Sequence, residues 1–196
     1  MKRIREANKN TQQEWDQIYS DPELATRWTQ WFDGSLVEAV IRHIPKGTKV
    51  LDVGCGVGFS EYVFQKMKGR QDLLLYGLDS SAKAVEYLRR HSSVVWEGIL
   101  HWDVVTDFPF REKAFDVAMA CEILEHLESP EALVKELARV GKRMIVTVPN
   151  KLEVDTEYHI WEFDESDVLA FLSPYGKTSI EIARNNCQIV GVCECK

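Results

Sequence analysis

The fold turns on Val50-Leu51-Asp52-Val53-Gly54-Cys55-Gly56-Val57-Gly58. Lys49 to Val53 reads as a buried strand carrying one acid, Asp52, near its end. Three glycines follow at alternate positions, and then a helix is predicted over Phe59 to Met67, closed by Gly69. Glycines let the chain turn tightly and let a ligand touch the main chain without a β-carbon in the way. The helix after them presents unpaired N–H groups. A dinucleotide-binding turn would need glycine at position 59, which is Phe59, so the spacing is GxGxG and not GxGxxG. No GxxxxGK[ST] run is present, which excludes a phosphate-cradling P-loop.

Outward from this turn, two hydrophobic periods alternate. Strands are predicted at Asp72 to Leu78, Val95 to His101, Phe115 to Cys121 and Arg143 to Val148. Helices are predicted between them, at Ser81 to His91 (entered through Ser80) and from Ser129-Pro130 to Gly141. Asp164 caps a helix through Leu172. Two strand-like runs, Lys177 to Ala183 and Cys187 to Cys193, flank a turn at Arg184-Asn185-Asn186. Upstream, Thr11 to Tyr19 and Ser35 to Ile44 read as helices, the second stopped by Pro45. Strand–helix alternation implies right-handed crossovers and a doubly wound, mostly parallel sheet of seven strands. Helices cover both faces, and a C-terminal hairpin adds an antiparallel strand. The whole reads as one α/β domain, residues 1–45 forming a helical lid and 46–196 the core. Ligands in such sheets bind at the carboxyl ends of the strands, at the switch point.

Composition narrows the function. The chain has 196 residues and a formal net charge of −7, a poor match to non-specific nucleic-acid binding. No apolar run reaches the roughly 20 residues that span a bilayer, and no signal-peptide core follows the basic start. A membrane role is not expected and a cytoplasmic location is. Five cysteines without a CxxC pair argue against a disulfide framework or a structural zinc site. Cys193 and Cys195 read as alternate residues of one strand.

From about Trp15 to about Tyr175 the pattern resembles the class I, Rossmann-like S-adenosylmethionine-dependent methyltransferases. The resemblance implies that the loop of Gly54, Cys55, Gly56 and Gly58 wraps the methionine part of the cofactor and that Asp52 orients it. Asp79, ending Leu74-Leu75-Tyr76-Gly77-Leu78-Asp79 and followed by Ser80, matches the acid that accepts the two ribose hydroxyls. Gly98 to Asp103 resembles the segment whose acid, Asp103, meets the adenine amino group, with Trp102 packing on the ring or serving as ordinary core. Cys121 falls at the cofactor end of the fourth predicted strand.

Cys121-Glu122-Ile123-Leu124-Glu125-His126-Leu127 resembles the E-x-x-E-H-L run of ubiquinone-pathway O-methyltransferases and small-RNA 3′-end 2′-O-methyltransferases, where it is associated with a divalent metal. A helix here would put Glu122, Glu125 and His126 on one face, a mixed oxygen and nitrogen site for Mg²⁺, Mn²⁺ or Fe²⁺. His159 is the candidate fourth ligand. Without a metal, Glu122 would hold substrate or cofactor, and His126 or His159 would be a general base. The sequence lacks [DN]-P-P-[YF] after the fourth strand, which disfavours methylation of nucleobase amines. The acceptor expected is a small molecule, methylated at oxygen, with RNA or another macromolecule as the alternative. A non-catalytic cofactor-binding partner and a nicotinamide oxidoreductase remain as rivals. The aromatic residues Trp15, Tyr19, Trp28, Trp31 and Phe32, with Leu152 to Trp161, are expected to roof the site or to form a surface contact.

Overall fold

The computed structural model describes residues 1–21, 23, 34–151 and 157–196. Trp28, Trp31, Phe32 and positions 152–156 lie outside the described residues. The central sheet has seven strands: β2 (Lys49–Val53), β3 (Leu74–Asp79), β4 (Trp96–His101), β5 (Phe115–Cys121), β6 (Gly141–Pro149), β8 (Gly176–Ala183) and β9 (Gln188–Cys195). Their order is β4-β3-β2-β5-β6-β9-β8. The first five run parallel, and β9 enters antiparallel to both β6 and β8. This is the doubly wound sheet with a C-terminal hairpin that the alternation predicts.

β2, β5 and β6 are apolar on both faces, as strands covered on both sides must be. Their alternate residues feed two cores. Leu51, Val53, Ala118, Ala120, Met144 and Val146 pack under α5 (Pro130–Val140) and α6 (Glu165–Leu172). Val50, Val117, Met119 and Ile145 pack under α2 (Gly34–Ile41) and the helix after β2. α5 and the helix after β2 therefore cover opposite faces, and the switch point falls between β2 and β5.

Four local departures matter for the site. The helix after β2 is α3 (Phe59–Tyr62) prolonged by a π-turn, Val63–Met67, closed by the Lys68 N–H on the Val63 carbonyl at 2.9 Å. α4 (Ala82–His91) is capped by the Ser81 hydroxyl, one residue beyond the expected Ser80. The Glu122 to Leu127 run is not an α-helix: Glu122 takes φ +57, and only Leu124–His126 coils, as a 3₁₀ turn. Finally β1 (Lys2–Arg3) pairs antiparallel with β7 (Trp161–Glu162), unforeseen because two-residue strands carry no periodicity. That pairing ties the N-terminal segment, including α1 (Gln12–Ser20), to the chain beyond β6.

Gly58 serves the fold. It caps α3 at φ +74, and a β-carbon there would stand 2.8 Å from Leu88 Cδ2 and 3.0 Å from Trp96 Cζ2. Gly58→Ala is expected to destabilise the protein by about 1–3 kcal/mol through left-handed strain and overpacking. Urea unfolding with an unchanged m-value checks this, and a loss below the error of the measurement rejects it.

Candidate active site

The carboxyl ends of β2 to β5 open into a cavity of about 590 Å³. Its floor begins at the glycine loop. The Gly54 N–H donates to the Leu78 carbonyl at 2.7 Å, and the Gly56 N–H to Asp79 Oδ2 at 2.8 Å. The loop is thus bolted to the end of β3. Asp79 Oδ1 accepts the Ser81 N–H at 2.8 Å. Each Asp79 oxygen keeps a second lone pair. Burial raises the Asp79 carboxyl while these two N–H groups hold it down.

A helix roofs this end. Asp16 on α1 accepts the Ser81 hydroxyl at 2.6 Å and the Lys83 N–H at 3.1 Å, a carboxylate at the N-terminus of α4. Tyr19 therefore lies over the loop, so close that a β-carbon on Gly56, at φ +51, would stand 2.8 Å from its hydroxyl. Trp15 stacks on Tyr19 at 6.2 Å and meets the His126 ring edge-on at 5.5 Å.

The far end is built by the turn after β5. Glu122 accepts the Thr147 hydroxyl at 2.8 Å and the Gln188 amide at 3.0 Å. Those bonds turn its carboxylate toward β6 and β9, away from Glu125. Glu125, His126 and His159 do converge, offering ligand atoms within 4.8 Å of one another. His126 Nδ1 lies 3.0 Å from the Tyr158 carbonyl, so Nδ1 carries the proton and Nε2 keeps its lone pair. Burial, then the neighbouring His159, lower the His126 pKa to about 3. The imidazole is neutral at any physiological pH.

Of the predicted site residues, the cavity gathers Asp52, Gly54, Cys55, Gly56, Asp79 and Ser80. It also takes in Asp103, Cys121, Glu122, Glu125, His126 and His159. Gly58 and Trp102 do not line it. Gly58 faces α4, and Trp102 is half-exposed with its indole N–H on the Asp107 carbonyl at 3.1 Å. Glu122 stands apart from the three convergent groups, because the predicted helix is a left-handed turn. Sequence reasoning missed Tyr158, Gln188 and Glu61. Gln188 was visible as a polar residue opening an apolar run, and Glu61 as an acid inside a helix that must pack on the sheet.

The comparisons agree with this geometry. Residues 35–162 match the family described as "Methionine biosynthesis protein MetW". The mitochondrial ubiquinone biosynthesis O-methyltransferase of Schizosaccharomyces pombe is 27% identical over 151 residues, covering 66% of this chain and 54% of that protein. The chain spans about half the length, or less, of the curated relatives it matches. Among solved structures, an Aquifex aeolicus SAM-dependent methyltransferase superposes with TM-score 0.62 at 21% identity, covering 94% of this chain and 100% of that one. A chain from the complex between the Haloferax volcanii Trm112 methyltransferase activator and a methyltransferase gives TM-score 0.73 at 15% identity, covering 93% and 97%. With this sheet order, this glycine loop and that match, the chain belongs to the MetW family, within the class I fold of S-adenosylmethionine-dependent methyltransferases.

Proposed function

We propose that the protein transfers the methyl group of S-adenosylmethionine to an oxygen of a small hydroxylated molecule. One observation carries the reading: a single cavity runs from the glycine loop and Asp79 to the lone pair of His126 Nε2. The cofactor would lie along Asp52, the loop and Asp79, with Asp103 at its adenine end. Its methyl would point toward the turn after β5.

The sulfonium is already reactive, so the protein's contribution is placement of the acceptor in line with the methyl. His126 Nε2 accepts the hydroxyl hydrogen and aims the oxygen. Glu125 Oε1, 3.8 Å from that nitrogen, is the nearby carboxylate that takes up the developing positive charge. Trp15 and Tyr158, packed at 5.7 Å, cover this end. A roofed cavity of this size suits a cofactor and a small acceptor better than a polymer. The Schizosaccharomyces pombe relative, named as an O-methyltransferase, supports oxygen as the target.

A second reading is favoured by the convergence of Glu125, His126 and His159. One carboxylate and two imidazoles suit Mn²⁺, Fe²⁺ or Mg²⁺, and the His126 Nδ1–H on a carbonyl is the usual support for a ligating imidazole. A metal there would lower the pKa of the acceptor hydroxyl. Glu122 is not part of that set.

Calorimetric titration should show binding of S-adenosylmethionine and S-adenosylhomocysteine and none of NAD; the reverse pattern overturns the reading. Asp79→Ala should weaken cofactor binding roughly 10–100-fold, the loss of charge-assisted bonds to two hydroxyls. With an acceptor found by radiolabel screening of phenols, sugars, lipids and RNA, His126→Ala should lower kcat about 10²–10⁴-fold. Cofactor affinity should stay within a few-fold. Activity unchanged after thorough chelation rejects the metal. Cofactor binding with no turnover on any acceptor supports a non-catalytic partner role instead.

A further inference from the structure

Two carboxyls lie together beneath the glycine loop. Asp52, the next-to-last residue of β2, lines the cavity, and Glu61 lies beside it on α3. Glu61 is completely buried and Asp52 is 5% exposed. Asp52 Oδ1 and both Glu61 oxygens are buried without a hydrogen-bond partner, and the two carboxyls lie close enough to perturb one another. Two neighbouring buried carboxyls with no donor aimed at them favour holding one proton over carrying two negative charges.

Their surroundings offer no countercharge. Asp79 faces them from β3, the Cys55 thiol from the glycine loop and the Cys121 thiol from the end of β5, with Glu122 just beyond. All of these are neutral or negative. No lysine, arginine or histidine among the described residues acts on either carboxyl. Ionising both in such a place, without a cation, costs several kcal/mol per charge.

The cofactor brings the missing cation. With Asp79 at its ribose and Asp103 at its adenine, its amino-acid end lies toward Asp52, and that end carries an ammonium group. We propose that Asp52 and Glu61 hold one shared proton in the cofactor-free protein and lose it when the ammonium binds against Asp52, so that cofactor binding releases a proton to solvent. This rests on the proposed use of S-adenosylmethionine. The balance is simple: protonated pair plus cofactor gives ionised pair with bound cofactor, plus one proton. Glu61 acts through Asp52 and is a positioning residue. Burial pushes its pKa up to about 6, and Asp52 is pushed up as well, first by burial and then by Glu61. Folded values above the unfolded ones mean that the empty site binds the extra proton, and that the linkage fades only as pH rises past the raised values.

The test is calorimetry of S-adenosylhomocysteine binding at pH 6.5 in buffers of different ionisation enthalpy. About one proton should be released per cofactor bound, and affinity should rise with pH by up to roughly tenfold per unit. 5′-Methylthioadenosine, which lacks the ammonium, should bind the same protein with no proton released. Glu61→Gln should abolish the release with S-adenosylhomocysteine and flatten the pH dependence. Homocysteine-cofactor binding without proton release overturns the inference alone, as does equal release by methylthioadenosine. Failure of every adenosyl ligand to bind overturns it together with the reading it rests on.

Discussion

A parallel sheet covered by helices on both faces leaves one place where consecutive crossovers part to opposite sides. Here it lies between β2 and β5, because the helix after β2 packs on one core and α5 on the other. Everything functional depends on how the chain leaves β2 at that gap. Three glycines, all at positive φ, let it fold back and hand three N–H groups, those of Gly54, Cys55 and Gly56, to the end of β3. That turn holds Asp79 in place, gives α4 its start and leaves room for Tyr19 above. A side chain at Gly56 would meet the roof, and one at Gly58 would meet the wall. The missing β-carbons let the loop pack closely against the roof and the wall of the cavity.

The roof belongs to the same logic. α1 is anchored by Asp16 at the N-terminus of α4, where a carboxylate is favoured, and by the aromatic contacts of Trp15 with Tyr158 and His126. The β1–β7 pairing holds the start of the chain beside the segment that carries His159. Roof and far wall are thus one assembly, built from opposite ends of the sequence. The same Tyr158 carbonyl that fixes the His126 tautomer also accepts the Asn10 amide at 2.7 Å.

What could be read from the sequence is what depends on neighbours along the chain. The strand, the glycine spacing and the acid at the end of the next strand are local, and the sheet order follows from them. The helical face expected for Glu122 did not form, because i, i+3, i+4 spacing presumes a helix, whereas its N–H is held by Thr147 and its carboxylate by Thr147 and Gln188, 25 and 66 residues away. Trp102 could not be placed from sequence, because an aromatic residue after a strand has two directions to point, and here its indole N–H bonds the Asp107 carbonyl. The α4 cap slipped by one because both candidates are serine and only Asp16 chooses. Glu61 could not be assigned at all: its partner Asp52 is near in sequence, but its significance comes from the absence of any described cation around both.

That absence gives the two ends of the cavity opposite electrostatic characters. Beside the glycine loop, burial raises the carboxyls of Asp52 and Glu61. At the far end, burial and His159 keep His126 neutral, so an approaching hydroxyl meets a lone pair and not an imidazolium. In the proposed reaction a sulfonium placed between them would pass its methyl to the acceptor oxygen, and its positive charge would move to that oxygen. In that reading His126 Nε2 would take the proton that leaves the oxygen, with Glu125 Oε1 standing 3.8 Å from the nitrogen. Charge would then move through the cavity in one direction, from the carboxyls beside the glycine loop toward His126.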